Sequence, residues 1–111
     1  MKQAGNTILI TGGGSGIGEA LAHRLHDQGN TVIVAGRRRD VLERSIAGRD
    51  QMHAMILDIE SAQGVEDFAA RVLQAHPTLN ILINNAGIMR FEGLETRRDL
   101  ADAETTITPI S

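Results

Sequence analysis

A doubly wound α/β domain, a parallel sheet covered by helices on both faces, is what this sequence predicts, and three observations carry the prediction. Four short runs rich in Ile, Val and Leu recur along the chain, amphipathic helical patterns fill the intervals, and a glycine-rich turn joins the first run to the first helix. Continuous apolar runs suit strands buried on both sides, the condition of a parallel sheet. The order that results is β-α-β-α-β-α-β, with right-handed crossovers.

Thr7 to Ile10 forms the first strand. Ile17, Ala20, Leu21 and Leu25 then follow the spacing of one helix face, and Gly29 with Asn30 supplies its stop. Thr31 to Ala35 reads as the second strand, and Val41, Leu42 and Ile46 mark a shorter helix before a third strand at Met52 to Leu57. The third helix carries the longest stripe, Val65, Phe68, Ala69, Val72, Leu73 and His76, with Ser61 as N-cap and Pro77 as its end. Ile81 to Ile83 is the fourth strand. After Gly87 the pattern weakens, and Glu95 to Ile107 reads as one more polar helix ended by Pro109.

Composition narrows the function. The 111 residues are 41% apolar with a formal net charge of −3, which fits one soluble domain spanning residues 1–111 with material for a core. No apolar run approaches the roughly 20 residues of a membrane helix. Thr7 to Ile10 is too short for the apolar part of a secretory signal, so a cytoplasmic location is expected. A mildly acidic balance argues against nucleic acid as a partner, because affinity for phosphate backbones needs basic surface. There is no Cys, Trp or Tyr, the two Phe are Phe68 and Phe91, and Lys2 is the sole lysine among 11 Lys and Arg residues. Thiolate metal sites and disulfides are excluded, and no phenol is available for proton chemistry.

The turn after the first strand reads Thr11, Gly12, Gly13, Gly14, Ser15, Gly16, Ile17, Gly18. Glycines let a backbone turn tightly and approach a pyrophosphate without a Cβ in the way, and the following helix offers unpaired N–H groups and its positive end. Alone such a turn is weak evidence, since a tight turn needs no ligand; here it sits between a buried strand and a helix, the context that gives it meaning. Gly12, Gly16 and Gly18 make GxxxGxG rather than the usual GxGxxG. Where an acidic residue would bind a ribose 2′-hydroxyl after the second strand, the chain has Gly36, Arg37, Arg38 and Arg39. An Arg there pairs with a 2′-phosphate, Arg37 being the first choice and Arg38 the second, although a solvated basic turn would look the same. One charge-assisted hydrogen bond is worth about 1.5–3 kcal/mol, hence a preference of roughly 10- to 100-fold for NADP over NAD. Asp58 suits either an adenine amino group or the start of the third helix, and Asn84 to Gly87 suits close approach of a ribose or a plain turn.

Together these features resemble the short-chain dehydrogenase/reductase family, whose signatures TGxxxGIG and NNAG stand here unbroken as Thr11 to Gly18 and Asn84 to Gly87. The resemblance implies a Rossmann-like sheet with strands in the order 3-2-1-4 and NADP (NADPH) as cofactor in preference to NAD. Its cofactor-binding set would be Gly12, Gly14, Ser15, Gly16, Ile17 and Gly18 at the phosphates, with Arg37 and Arg38 at the 2′-phosphate. Asp58 and Ile59 would meet the adenine, and Asn85, Ala86 and Gly87 would lie beside the nicotinamide half.

The family's proton chemistry rests on a Tyr in YxxxK, a Ser upstream and an Asn on the helix after NNAG. This chain has no Tyr, no Asn after Asn85, and Ser111 as its last residue. The expectation is the cofactor-binding half of a longer oxidoreductase, inactive alone, with no catalytic residue of its own and a small-molecule substrate only in the longer parent. The alternatives are a non-catalytic dinucleotide-binding or sensing module and an interaction protein that has lost its ligand. In the order 3-2-1-4 the fourth strand would be an exposed edge, so self-association, as a homo-oligomer or otherwise, is expected there.

No metal site is expected. His23 and His26 read as a solvent-facing pair and His53 with His76 as structural, while Arg97 and Arg98 near Glu95 and Asp99 read as a solvated helix face. Met52, Met55 and Met89 read as ordinary strand and loop residues, with Met89 and Ile88 available to a substrate pocket.

Overall fold

The computed structural model describes residues 4–12, 16–57, 62–84 and 107–109. Its elements are β1 (Thr7–Thr11), α1 (Gly16–Asp27), β2 (Thr31–Gly36), α2 (Arg39–Ile46), β3 (Met52–Ile56), α3 (Ala62–Ala75), β4 (Ile81–Asn84) and β5 (Ile107–Pro109). They form one sheet in the order β3-β2-β1-β4-β5. The first four strands pair in parallel, and β5 runs antiparallel to β4. Among the described residues no helix is long and apolar enough to cross a membrane.

Successive side chains point to opposite faces of a strand, so each central strand feeds two cores. Ile8 and Ile10 of β1, Val32 and Val34 of β2, and Ile81 and Ile83 of β4 pack with Ala22 and Leu25 of α1 and Leu42 of α2. Leu9, Ile33, Ala35 and Leu82 pack on the other side with Phe68 and Val72 of α3. Two cores on the two faces of one parallel sheet make the fold doubly wound, in the expected order 3-2-1-4.

The structure differs from the sequence reading at three places. First, the buried seam of α1 is Gly18, Ala22 and Leu25, whereas Ile17 is 72% exposed and Ala20 is exposed. Spacing alone gave weight to the larger side chain, but close approach of a helix to a sheet favours the smaller one. Second, β4 is not an edge: Ile107–Pro109 pairs along it, Ile81 opposite Pro109 and Ile83 opposite Ile107. That removes the physical reason for expecting association at β4, and it places Ile107 in a strand rather than at the end of a helix. The rest of that expected helix and the N-cap Ser61 lie outside the described residues. Third, His23 and His26 are not a solvent-facing pair. His23 Nε2 lies 2.7 Å from the carbonyl oxygen of Ser45. A carbonyl only accepts, so Nε2 carries the proton and ties α1 to the end of α2. His26 Nδ1 is 3.3 Å from Arg49 Nη1, which donates to Asp27 Oδ1 at 2.8 Å. The bond from Arg49 holds the Asp27 carboxyl below its ordinary 3.8.

At the amino ends of the strands three amides interlock. The backbone N–H and the side-chain amide of Asn6 both donate to Asn30 Oδ1 at 3.0 Å. Asn80 Nδ2 donates to Asn6 Oδ1 at 3.0 Å, while Asn80 Oδ1 accepts from the Thr7 N–H at 2.8 Å. Asn30 Nδ2 donates to the Leu25 carbonyl at 2.8 Å, so the end of α1 joins the starts of β1, β2 and β4. Asn6 and Asn30 are buried, and satisfied amides there fix the register in which the strands begin.

His76 follows α3 directly, half-buried, with its ring centre 5.0 Å from that of His53. Burial, and secondarily the charge of His53, holds the His76 imidazole below its ordinary 6.5. The unfolded chain then binds the proton more readily than the folded one, so stability is fully present above pH 6.5 and declines as pH falls from there toward the lowered folded value. Thermal melts at pH 7.5, 6.5 and 5.5 should show a falling midpoint, about those pH values set by the linkage, and His76→Gln should flatten the decline.

Candidate cofactor site

The site is built where three parallel strands end together. Thr11 pairs in register with Ala35 of β2 on one side and with Asn84 of β4 on the other. Gly12 leaves β1 with φ 71° and donates its N–H to the Ala35 carbonyl at 2.9 Å. Gly16 opens α1 with φ 61°, and a Cβ added there would meet nothing within 4 Å among the described residues. Backbone conformation and not crowding therefore calls for glycine, and the open space beside it is what a ligand backbone could enter. The first-turn N–H groups of α1 have no partner within the helix and carry its positive end into that space.

Beside the turn, Gly12, Ala35, Gly36, Arg37, Arg38, Val41 and Leu42 line a hollow of about 150 Å³. A Cβ on Gly36 would stand 3.5 Å from Leu42 Cδ2, so any larger side chain would encroach on the hollow. Ala35, Val41 and Leu42 give it apolar walls, Arg37 and Arg38 give it an exposed cationic rim, and no carboxylate lines it among the described residues. Arg38 holds the N-cap position of α2 without a side-chain capping bond, so its guanidinium is not spent on the helix. Apolar walls for a flat ring with two cations for a phosphate match a phosphorylated nucleoside, and the same rim would repel a metal cation. A broader groove of about 620 Å³, lined by Ile56, Gly64, Asp67, Ala70 and Arg71, lies on the α3 side and shares no residue with the hollow.

Of the residues expected to bind cofactor, the structure brings together Gly12, Arg37 and Arg38 around the hollow, with Gly16, Ile17 and Gly18 on the first turn of α1. Gly14, Ser15, Asp58, Ile59, Asn85, Ala86 and Gly87 lie outside the described residues. Among the described residues no three His, Cys, Asp or Glu side chains gather in a metal-sized cluster.

Sequence reasoning missed two features. The wall residues Val41 and Leu42 were read only as a helix face, although α2 follows the arginines so closely that its first turn must border whatever they bind. It also missed the bond between the two motifs: Thr11 Oγ1 donates to Asn84 Oδ1 at 3.0 Å, both residues buried. Each is the first residue of its motif, and the order 3-2-1-4 puts strands 1 and 4 side by side, so the contact was there to be inferred. Thr11→Val, which keeps the shape and removes the donor, should lower stability by about 1–2 kcal/mol in urea unfolding, while Thr11→Ser should recover most of it.

Comparison with known proteins agrees with this geometry. A family model described as short chain dehydrogenase matches residues 6–108. The uncharacterized oxidoreductase DltE of Bacillus subtilis (strain 168) is 40% identical over 90 residues, covering 81% of this chain and 36% of the relative. Human retinol dehydrogenase 13 is 36% identical over 92 residues, covering 78% and 28%. A short chain dehydrogenase from Escherichia coli CFT073 complexed with NADPH superposes with TM-score 0.70 at 28% identity, covering 79% of this chain and 41% of that one. The Pseudomonas aeruginosa RhlG/NADP complex does so with TM-score 0.67 at 28% identity, covering 74% and 34%. The chain spans about a third of the length of the curated relatives it matches. With the glycine turn, the strand order and the match over residues 6–108 all in agreement, the chain belongs to the short-chain dehydrogenase family.

Proposed function

We propose that this chain is the cofactor-binding part of an NADP-dependent oxidoreductase. The observation that carries the reading is the hollow beside β1 and β2, rimmed by Arg37 and Arg38 with no carboxylate among its described lining residues. Gly12, Gly14, Ser15, Gly16, Ile17 and Gly18, with the positive end of α1, hold the pyrophosphate. Arg37, helped by Arg38, holds the 2′-phosphate; Asp58 and Ile59 meet the adenine; Asn85, Ala86 and Gly87 border the nicotinamide half. The NADP and NADPH complexes among the similar structures support the same preference.

When bound, the nicotinamide exchanges a hydride with the carbon of a small alcohol or carbonyl substrate in the longer protein. The residues of this chain bind and orient the cofactor. None of its 111 residues is a Tyr, so the proton on the substrate oxygen is assigned to none of them. The same observation favours a second reading, a dinucleotide-binding or sensing module without catalysis; a reading frame running on past codon 111 into a YxxxK segment decides against it.

Titration of the purified chain followed by nicotinamide fluorescence tests the assignment. NADPH should bind roughly 10- to 100-fold more tightly than NADH, with no turnover of an added carbonyl compound. Failure of NADPH to bind at millimolar concentration overturns it.

A further inference from the structure

At the opposite end of the sheet stands a pair of imidazoles that cofactor binding does not use. His53 is the second residue of β3, the outermost parallel strand, and points to the α3 side as Met55 and Leu57 do. His76 directly follows α3 and is tied to its last turn by an N–H bond to the Val72 carbonyl at 2.8 Å. The two half-buried rings therefore sit on two rigid elements, with centres 5.0 Å apart and planes tilted by 47°.

We propose that His53 and His76 chelate one divalent transition-metal ion of the zinc and copper class, with water in the remaining positions. The separation of the ring centres is one that chelation allows. A zinc–nitrogen bond of about 2.0–2.1 Å puts each ring centre about 3.2 Å from the ion, so two rings at right-angle to tetrahedral separation stand about 4.6–5.3 Å apart. The observed 5.0 Å falls inside that span. Among the described residues no strand pairs with the outer side of β3, so the two rings stand at the margin of the sheet. A bound ion would pin the end of α3 to the edge of the sheet, away from Arg37 and the glycine turn, so zinc and NADPH would bind independently.

The test is calorimetric titration of the metal-free chain with zinc chloride, with imidazole ¹⁵N resonances recorded on the unsubstituted protein. One ion should bind per chain and shift the ring nitrogens of both His53 and His76. His53→Gln and His76→Gln should each weaken binding by about tenfold or more, and His26→Gln should leave it unchanged. Copper(II) should bind more tightly than nickel(II) at the same rings. Absence of zinc binding, zinc that shifts neither ring, or affinity that survives both substitutions overturns the proposal. The resonance shifts decide the matter even where a substituted chain does not fold, and NADPH titration of the same sample fails or succeeds separately.

Discussion

Replacing Arg37 by Asp is expected to weaken NADPH binding by about 100-fold, while NADH binding changes by no more than about threefold. Two effects add. The substitution removes a charge-assisted hydrogen bond to the 2′-phosphate worth about 1.5–3 kcal/mol, and it sets a carboxylate where that phosphate must sit. NADH carries a hydroxyl at that position, which a carboxylate accepts from, so its affinity is spared. Arg38→Asp should act in the same direction with a smaller effect. The measurement is the ratio of the two dissociation constants in fluorescence titrations at one fixed salt concentration, since screening reduces a contact made at an exposed rim. An unchanged ratio in Arg37→Asp would mean that the arginines are a solvated turn and that the hollow beside them does not receive a 2′-phosphate.

Phe68→Ala should be the most damaging single substitution to stability, costing about 3–5 kcal/mol. Phe68 is fully buried and fills the space between α3 and the strands, among Leu9, Ile33 and Leu82, and the Arg71 guanidinium lies 5.6 Å from its ring centre. Truncation leaves a ring-sized cavity in a core that only α3 is described as covering. Because small domains hold only about 5–15 kcal/mol in total, such a loss should lower the urea midpoint by a large fraction of its value. Phe68→Leu should retain most of the stability. A variant with an unshifted midpoint would mean that α3 contributes little to the folded state.

Most of the architecture was legible because it rests on the crudest physical signal, apolar runs long enough for a buried strand and stripes at helical spacing. Phe68, Val72 and Leu73 gave α3 on that ground alone. The reading failed where size mattered more than polarity: Ile17 was assigned to the buried face of α1, but Gly18 and Ala22 occupy the seam because a helix close to a sheet leaves room only for small residues. It failed again at β5, since a strand of three residues with a proline in it has no periodicity to detect and is specified by the unpaired edge of β4. Around the hollow, the positions of Gly12, Arg37 and Arg38 are legible from motif and charge, whereas Val41, Leu42 and the Thr11–Asn84 bond depend on which strands lie side by side. Histidines were the least legible. Nothing in the spacing of His23 foretells a backbone carbonyl of α2 as its partner.

The interlocked amides of Asn6, Asn30 and Asn80 imply an unequal distribution of local opening along the strands. Amide protons at the starts of β1, β2 and β4 should exchange with solvent only when the whole domain unfolds, whereas those near Gly12 and Gly36 should exchange through small local fluctuations. Deuterium uptake would then divide the molecule across its strands rather than between its elements.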